Sequence, residues 1–259
     1  MFFIIFNLFD KFTYENDSRK FDVEIRAMGD SAVSLVLAVE ITPEINQQVH
    51  RISRAIASEN IPAVSEVLST YSGLVVHYDP LNMTLDELRD SLITLCQYNL
   101  RATQDESRVI RIPTLYGGEH GPDLSEVSNI LGISEFEIVR LHSSEEYLVY
   151  GLGFSPGFPY LGGLSSDLYC DRLSTPRIDV PAGSVAIAES QTGIYPVSSP
   201  GGWRLIGRTP VKMFDPGSPR PTLVEPGDFI RFRPVCAGEF EEISNLIDNN
   251  QYQPELFIN

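Results

Sequence analysis

Residues 175–210, TPRIDVPAGSVAIAESQTGIYPVSSPGGWRLIGRTP, hold the densest polar set in the chain: Arg177, Ser184, Gln191, Thr192, Tyr195 and Arg204, spaced by Gly and Pro. Glycine lets a backbone approach a bound molecule closely, and proline stiffens the loops that present it. An arginine in such a setting suits a carboxylate, which it meets through paired N–H groups. Trp203, the single tryptophan, stands between Gly201-Gly202 and Arg204. It reads equally as a barrel core residue flanked by a bulge and as a pocket wall beside an arginine. His142 ends a helical stretch in Leu141-His142-Ser143-Ser144-Glu145. There it is either a structural cap of the helix C-terminus or a group that works near neutral pH.

Several common site patterns fail on chemistry. Gly153-Phe154-Ser155-Pro156-Gly157 has the G-x-S-x-G spacing of a hydrolase nucleophile elbow. The elbow needs the N–H of the residue after the serine, and Pro156 has none; Pro-Gly-Phe-Pro also forbids the helix that must follow. Gly151-Leu152-Gly153 would need a third glycine where Pro156 stands, and no G-x-x-x-x-G-K-[ST] loop occurs. His50, His77, His120 and His142 show no metal-ligating spacing, so no metal site is expected. Cys96, Cys170 and Cys236 are widely separated and odd in number, which suits mostly buried thiols in a reducing compartment rather than a disulfide framework.

The charge balance narrows the partners. Asp and Glu number 35 against 19 Lys and Arg, a formal net charge of −16. That field repels phosphate backbones and anionic lipid, so neither nucleic acid nor membrane is an expected partner. Only Lys11, Lys20 and Lys212 are lysines, so an anion site would use arginine or backbone N–H groups. The apolar start, MFFIIFNLFD, is too short to span a bilayer and lacks a basic segment and a cleavage site. We read residues 1–20 as a frayed extension, with an extra edge strand as the alternative, and the location as cytoplasmic.

The elements that must hold the polar set follow from periodicity. Residues 151–235 carry 12 of the 19 Gly and 12 of the 18 Pro, which implies short strands and turns of a barrel or sandwich. Apolar runs at residues 146–152, 185–188, 203–206, 211–214 and 229–232 are its expected strands. The first half alternates strand and helix instead. Strands are expected at 23–27, 31–39, 64–70 and 74–78. Thr42-Pro43 opens a helix with Ile45, Val49, Ile52 and Ile56 on one face, and Thr84 and Glu87 form a capping box for another, with Leu88, Leu92 and Leu95 inward. With a last strand at 108–112 the order is β-α-β-β-α-β, the split βαβ arrangement. Two short helices, at 123–131 and from Ser134 to about 141, lie between the halves. A surface helix at 239–247 and a frayed end close the chain. The expectation is an α+β protein with a ferredoxin-like N-terminal domain, residues 21–104, and a barrel domain, residues 105–240.

These ordered blocks resemble one family. They are Leu141-His142-Ser143 through Tyr147; Gly153 through Leu164 (GFSPGFPYLGGL); Thr175-Pro176-Arg177; Val180-Pro181-Ala182-Gly183-Ser184-Val185; Gln191-Thr192-Gly193-Ile194-Tyr195-Pro196; and Ser199 through Pro210 (SPGGWRLIGRTP). Tyr116-Gly117-Gly118-Glu119 and Gly121-Pro122-Asp123-Leu124 fit as well. Together they are similar to the KipI / allophanate hydrolase subunit 1 family, whose bacterial members are largely 5-oxoprolinase B subunits. The resemblance runs from about residue 21 to 234. Two departures stand near the presumed pocket: Gly151 in place of a bulkier residue, and Ala188-Glu189-Ser190 in place of a more glycine-rich run.

The resemblance implies a cyclophilin-like C-terminal barrel and two partner chains of 5-oxoprolinase, one KipA-like (its C subunit) and one LamB/YcsF-like (its A subunit). With them the complex would open 5-oxo-L-proline to L-glutamate with ATP, bound with or by a partner chain. Other members take part in urea or allophanate metabolism, and the namesake inhibits a sensor histidine kinase, which remain the alternatives. Ring opening needs an anion clamp, oxyanion stabilisation and a positioned water. On that reading Arg177 and Arg204 form the clamp, Gln191 and Tyr195 hydrogen-bond the lactam, and N–H groups at Gly183 and Ser184 hold the oxyanion. His142 is the base, and Phe158, Pro159, Thr192 and Trp203 line the site.

Overall fold

The computed structural model describes residues 9–16, 19–99 and 108–258, with side chains placed for 23–97 and 108–258. The chain divides into two units, Met1–Asp105 and Glu106–Asn259.

In the first unit, β1 (Phe9–Asn16), β2 (Arg19–Met28), β3 (Ala32–Val36), β4 (Val64–Ser69) and β5 (Gly73–Tyr78) form an antiparallel sheet in the order β1-β2-β3-β5-β4. Helix α1 (Pro43–Glu59) starts where the sequence requires: the Thr42 hydroxyl accepts from the Ile45 amide at 3.3 Å, and Pro43 sets the first turn. Its 3.6-residue period buries Val49, Ile52 and Ile56 on the sheet. Helix α2 (Leu85–Asn99) opens on a reciprocal capping box, the Thr84 amide donating to Glu87 Oε2 at 2.8 Å and the Glu87 amide to Thr84 Oγ1 at 3.3 Å. Leu88, Leu92 and Cys96 complete this core, with Leu95 partly buried against it.

The split βαβ reading holds for β3, α1, β4, β5 and α2 and needs a correction at its last strand. The edge beside β3, where that arrangement seats its final strand, is taken by β2 from earlier in the chain. The strand expected there is β6 (Arg108–Tyr116), which belongs to the second unit. Any apolar strand satisfies the local pattern, and pairing across the sheet decides which one is used. Residues 9–16, expected to fray, instead form β1, the alternative edge strand, in register from Phe9 opposite Arg26 to Asn16 opposite Arg19. The first eight residues lie outside the described residues.

The second unit adds α3 (Leu124–Leu131), α4 (Glu135–Ser144), β7 (Tyr147–Leu152), β8 (Pro159–Gly162), β9 (Arg177–Val180), β10 (Ser184–Ala188), β11 (Gln191–Ile194), β12 (Ser199–Gly201), β13 (Arg204–Arg208), β14 (Phe229–Pro234), α5 (Ala237–Asp248) and β15 (Glu255–Ile258). The order β13-β10-β11-β8-β7-β14-β6 closes through a β13–β6 pairing into a seven-strand barrel. β6 runs parallel to β14 and also carries β15 antiparallel along residues 108–111. The tail beyond α5 is thus an added strand and not a frayed end. Residues 211–214 are likewise not a strand; Phe214 makes an isolated bridge to Thr222. β9 and β12 pair separately as a two-stranded ribbon.

Side-chain alternation gives the barrel strands two apolar faces. Leu161, Val185, Ile187, Ile194 and Ile206 join the interior core. Ala186, Ala188, Tyr195 and Leu205, from the same strands or just beyond them, point the other way, into a second cluster with Phe158, Val180 and Trp203. That second cluster is where the motif residues gather.

Candidate functional site on the outer face of the barrel

Aromatic side chains build this face. Phe158 lies 5.3 Å from Tyr195, 5.5 Å from Trp203 and 5.0 Å from Tyr160, centroid to centroid, all edge to face. Phe154 touches Phe158 at 5.5 Å and Tyr195 at 6.4 Å while remaining 63% exposed. Its backbone is left-handed, φ +61°, inside the turn that the G-x-S-x-G spacing suggested. Phe158 donates its amide to the Ser155 carbonyl there, and β8 follows at once with Pro159 buried at its head. Gly193 is tightly packed: a Cβ would meet Phe158 at 3.0 Å and Trp203 at 3.1 Å, so either ring would have to yield by a few tenths of an ångström. At Gly201 there is no room for a side chain, since a Cβ would overlap the Tyr195 hydroxyl. Burial raises the pKa of that hydroxyl, opposed by a hydrogen bond from the Trp203 amide and by the charges of Arg172 and Arg177. Gln191, partly exposed, opens β11 opposite Ala188, on the same side of the strand as Gly193.

Other expected site residues are occupied elsewhere. His142 is fully buried, 4.4 Å from the Phe232 ring. Its Nε2 lies 2.8 Å from Thr192 Oγ1 and its Nδ1 2.7 Å from the Tyr116 hydroxyl. Thr192 spends its own proton on the Ala186 carbonyl at 3.1 Å, so it accepts from Nε2–H, and Nδ1 accepts from Tyr116. Burial lowers the His142 pKa to about 3. This neutral imidazole ties α4 to β11 and β6 and has no free lone pair for a substrate proton. The base reading of His142 and the binding reading of Thr192 are therefore corrected to core hydrogen bonding.

The arginine clamp needs a similar correction. Arg177 Nη2 donates to Asp123 Oδ1 at 2.5 Å, and the other oxygen of Asp123 accepts the Leu205 amide at 2.7 Å. Arg204 Nη1 lies 2.9 Å from Glu126 Oε1, and its Nε donates to the Asp171 carbonyl at 2.9 Å. Both carboxylates belong to the start of α3. A buried guanidinium in so acidic a chain found internal anions first. Arg177 Nη1 and Arg204 Nη1 are both buried without a hydrogen bond of good geometry, the latter although it lies within ion-pair distance of Glu126. Nor do Gly183 and Ser184 form an oxyanion hole: the Gly183 amide donates to the Tyr195 carbonyl at 2.7 Å and the Ser184 amide to the Pro181 carbonyl at 3.2 Å. Among the described residues no group of three or more His, Cys, Asp or Glu is placed to hold a metal, and no helix is long and apolar enough to cross a membrane.

Of the motif residues, Phe158, Val180, Tyr195 and Trp203 gather on the outer side of the barrel strands, while His142 and Thr192 face its core. The family described as carboxyltransferase domain, subdomain C and D, matches residues 23–224. This chain belongs to that family. Within it, the 5-oxoprolinase B subunit of Bacillus subtilis (strain 168) is 38% identical over 224 residues, 81% of this chain and 91% of that protein. The protein of the same name from Escherichia coli O157:H7 is 41% identical over 212 residues, 82% of this chain and 95% of that protein. The crystal structure of TTHA0988 superposes with a TM-score of 0.71 at 35% identity, covering 80% of this chain and 40% of that one. This chain therefore spans less than half of that longer protein. These relationships agree with the KipI / allophanate hydrolase subunit 1 resemblance carried by the motifs.

In this carboxyltransferase-family chain, Phe158, Tyr195 and Trp203 are the expected site residues that meet, and they do so as a buried cluster, so Trp203 is a core residue rather than an open pocket wall; Gln191 stands on the same side of its strand. Reading by motif missed Tyr160, Phe154, Arg172 and the structural role of Asp123. Period-two alternation along β8 and β11 places Tyr160 beside Gly193, so that residue was within reach of the sequence. Nothing local marks Arg172. Gly183 gives a test of the scaffold: it sits at φ +81°, and a Cβ there would press on the Thr209 carbonyl. Gly183→Ala is expected to lower stability by about 2–4 kcal/mol from backbone strain plus overlap, read as a fall in the urea midpoint with an unchanged slope.

Proposed function

We propose that this chain is the B subunit of an ATP-dependent 5-oxoprolinase, opening 5-oxo-L-proline to L-glutamate together with a KipA-like partner and a LamB/YcsF-like partner. The observation that carries the reading is 38–41% identity over four-fifths of the chain to proteins named as 5-oxoprolinase B subunits. The aromatic cluster supports it at its edge: Phe154 and the partly buried Tyr160 present ring surface for a small cyclic amide, over Phe158, Tyr195 and Trp203, which are buried beneath them. ATP supplies the phosphoryl group that activates the lactam oxygen. The sequence has no phosphate-binding loop, which favours ATP held with or by a partner chain. With His142 buried and bonded on both nitrogens, the water-activating base also falls to a partner. This chain's share is then to seat the ring and exclude water around it.

Co-expression with the KipA-like and LamB/YcsF-like partners tests this. The three chains are expected to co-purify and to form glutamate with ATP consumption, whereas this chain alone shows negligible turnover. Robust hydrolysis by the isolated chain, or an assembled complex that leaves 5-oxoproline intact, would overturn the proposal.

A further inference from the structure

The β10–β11 turn carries a residue that its backbone does not favour. Glu189 sits at φ +54°, a left-handed conformation natural to glycine and strained for a glutamate. Its amide donates to the Cys170 carbonyl at 2.6 Å, and Cys170 and Glu189 form a β-bridge. That bridge pins the turn to the segment bearing Arg172. The Glu189 carboxylate reaches Arg172, Oε1 to Nε, at 3.1 Å, with both side chains about half exposed. The Arg172 guanidinium lies 6.0 Å from the Trp203 ring centroid, and its charge acts on the Tyr195 hydroxyl. So a solvent-reachable cation stands at the rim of the aromatic face, and a strained residue points a carboxylate at it. The other two cations of this region are less available. Arg204 is held by Glu126 and the Asp171 carbonyl, and Arg177 by the buried Asp123.

Resting on the 5-oxoprolinase reading, we propose that Arg172 recognises the substrate carboxylate and that Glu189 is an internal carboxylate competing for it. An exposed ion pair is weak, so a ligand carboxylate can replace it. The same replacement rejects neutral cyclic amides, which would leave Arg172 with Glu189 and gain nothing. Glu189 is then a determinant of substrate affinity, set on a turn where glycine would be free of strain.

Trp203 is the single tryptophan, so its fluorescence reports events at this rim in the full chain. Titration with 5-oxo-L-proline is expected to shift its emission, and titration with the neutral 5-oxoprolinamide is not. Glu189→Gly and Glu189→Gln should both tighten 5-oxoproline binding about three- to fivefold, the size of a lost exposed competitor. Only Glu189→Gly should also raise the melting temperature, through relief of strain. Arg172→Ala should weaken binding on the order of tenfold or more, with Arg172→Lys intermediate, and raise KM rather than lower kcat in the three-chain complex. Circular dichroism confirms that each variant is folded. If the complex turns over 5-oxoproline while Arg172→Ala and Glu189→Gln leave KM unchanged, the proposal falls and the 5-oxoprolinase reading stands. If the complex is inactive yet fluorescence shows carboxylate binding that depends on Arg172, the function reading falls and the recognition role stands.

Discussion

Asp123→Ala is expected to lower folding stability by about 3–5 kcal/mol, the usual cost of stranding one partner of a buried ion pair. Asp123 is 5% exposed and serves two donors: Arg177 Nη2 on one oxygen and the Leu205 amide on the other. Removing it leaves a guanidinium without its anion and a strand amide without an acceptor. Asp123→Asn should cost less, since the amide oxygen can still receive the Leu205 N–H. Arg177→Ala should also lower the urea midpoint, because the carboxylate then keeps a single neutral donor. Urea melts of the three variants beside wild type make the test. If Asp123→Ala melts with wild type, the pair holds nothing together, and Arg177 returns to the substrate-binding set.

The second large effect is a pH dependence. His142 has its pKa lowered from 6.5 to about 3 in the folded chain by burial, so between those values the unfolded chain binds a proton that the folded chain refuses. Stability therefore rises with pH across that window and levels off above 6.5. On acidification from 6.5 to about 3 the loss from this one group approaches ~5 kcal/mol, and below that it grows no further. His142→Gln removes the titration. It lowers stability at neutral pH, because Tyr116 and Thr192 lose a well-shaped partner, but its stability should vary less with pH in the same window. Urea melts at intervals from pH 7 down to pH 4 compare the slopes. Parallel curves for the two proteins would show that His142 takes up its proton without unfolding.

What the sequence revealed was what is decided locally. Thr42-Pro43 with the Ile45, Val49, Ile52 and Ile56 period, and the Thr84–Glu87 box, act within a turn or two of chain, and both helices stand where those signals put them. The Gly and Pro density of the second half signalled short strands, because those residues act through their own dihedral angles. Partner choice was hidden. β6 reads like any apolar strand, and only pairing reveals that it lies in the barrel and not beside β3. At the site, Phe158, Tyr195 and Trp203 were visible as motif residues. The fates of Arg177 and His142 were not, since Asp123 lies 54 residues from one and Thr192 50 residues from the other. A buried charge or imidazole takes whichever counter-group the fold supplies, and spacing along the chain carries no record of it.

The position of β6 at the barrel seam governs how the chain is made. Its partners β13, β14 and β15 all come much later in the sequence, and its parallel pairing with β14 cannot form until Phe229–Pro234 has been synthesised. At cellular elongation rates that delay is on the order of ten seconds. Until then Val109, Ile110 and Ile112, which end with almost no exposure, lack the β14 and β15 strands that pair along their length; β13, made earlier, pairs only at residues 115–116. Such a strand invites pairing with other nascent chains, and high contact order slows its rescue. Recovery of folded material is accordingly expected to depend on synthesis rate and growth temperature.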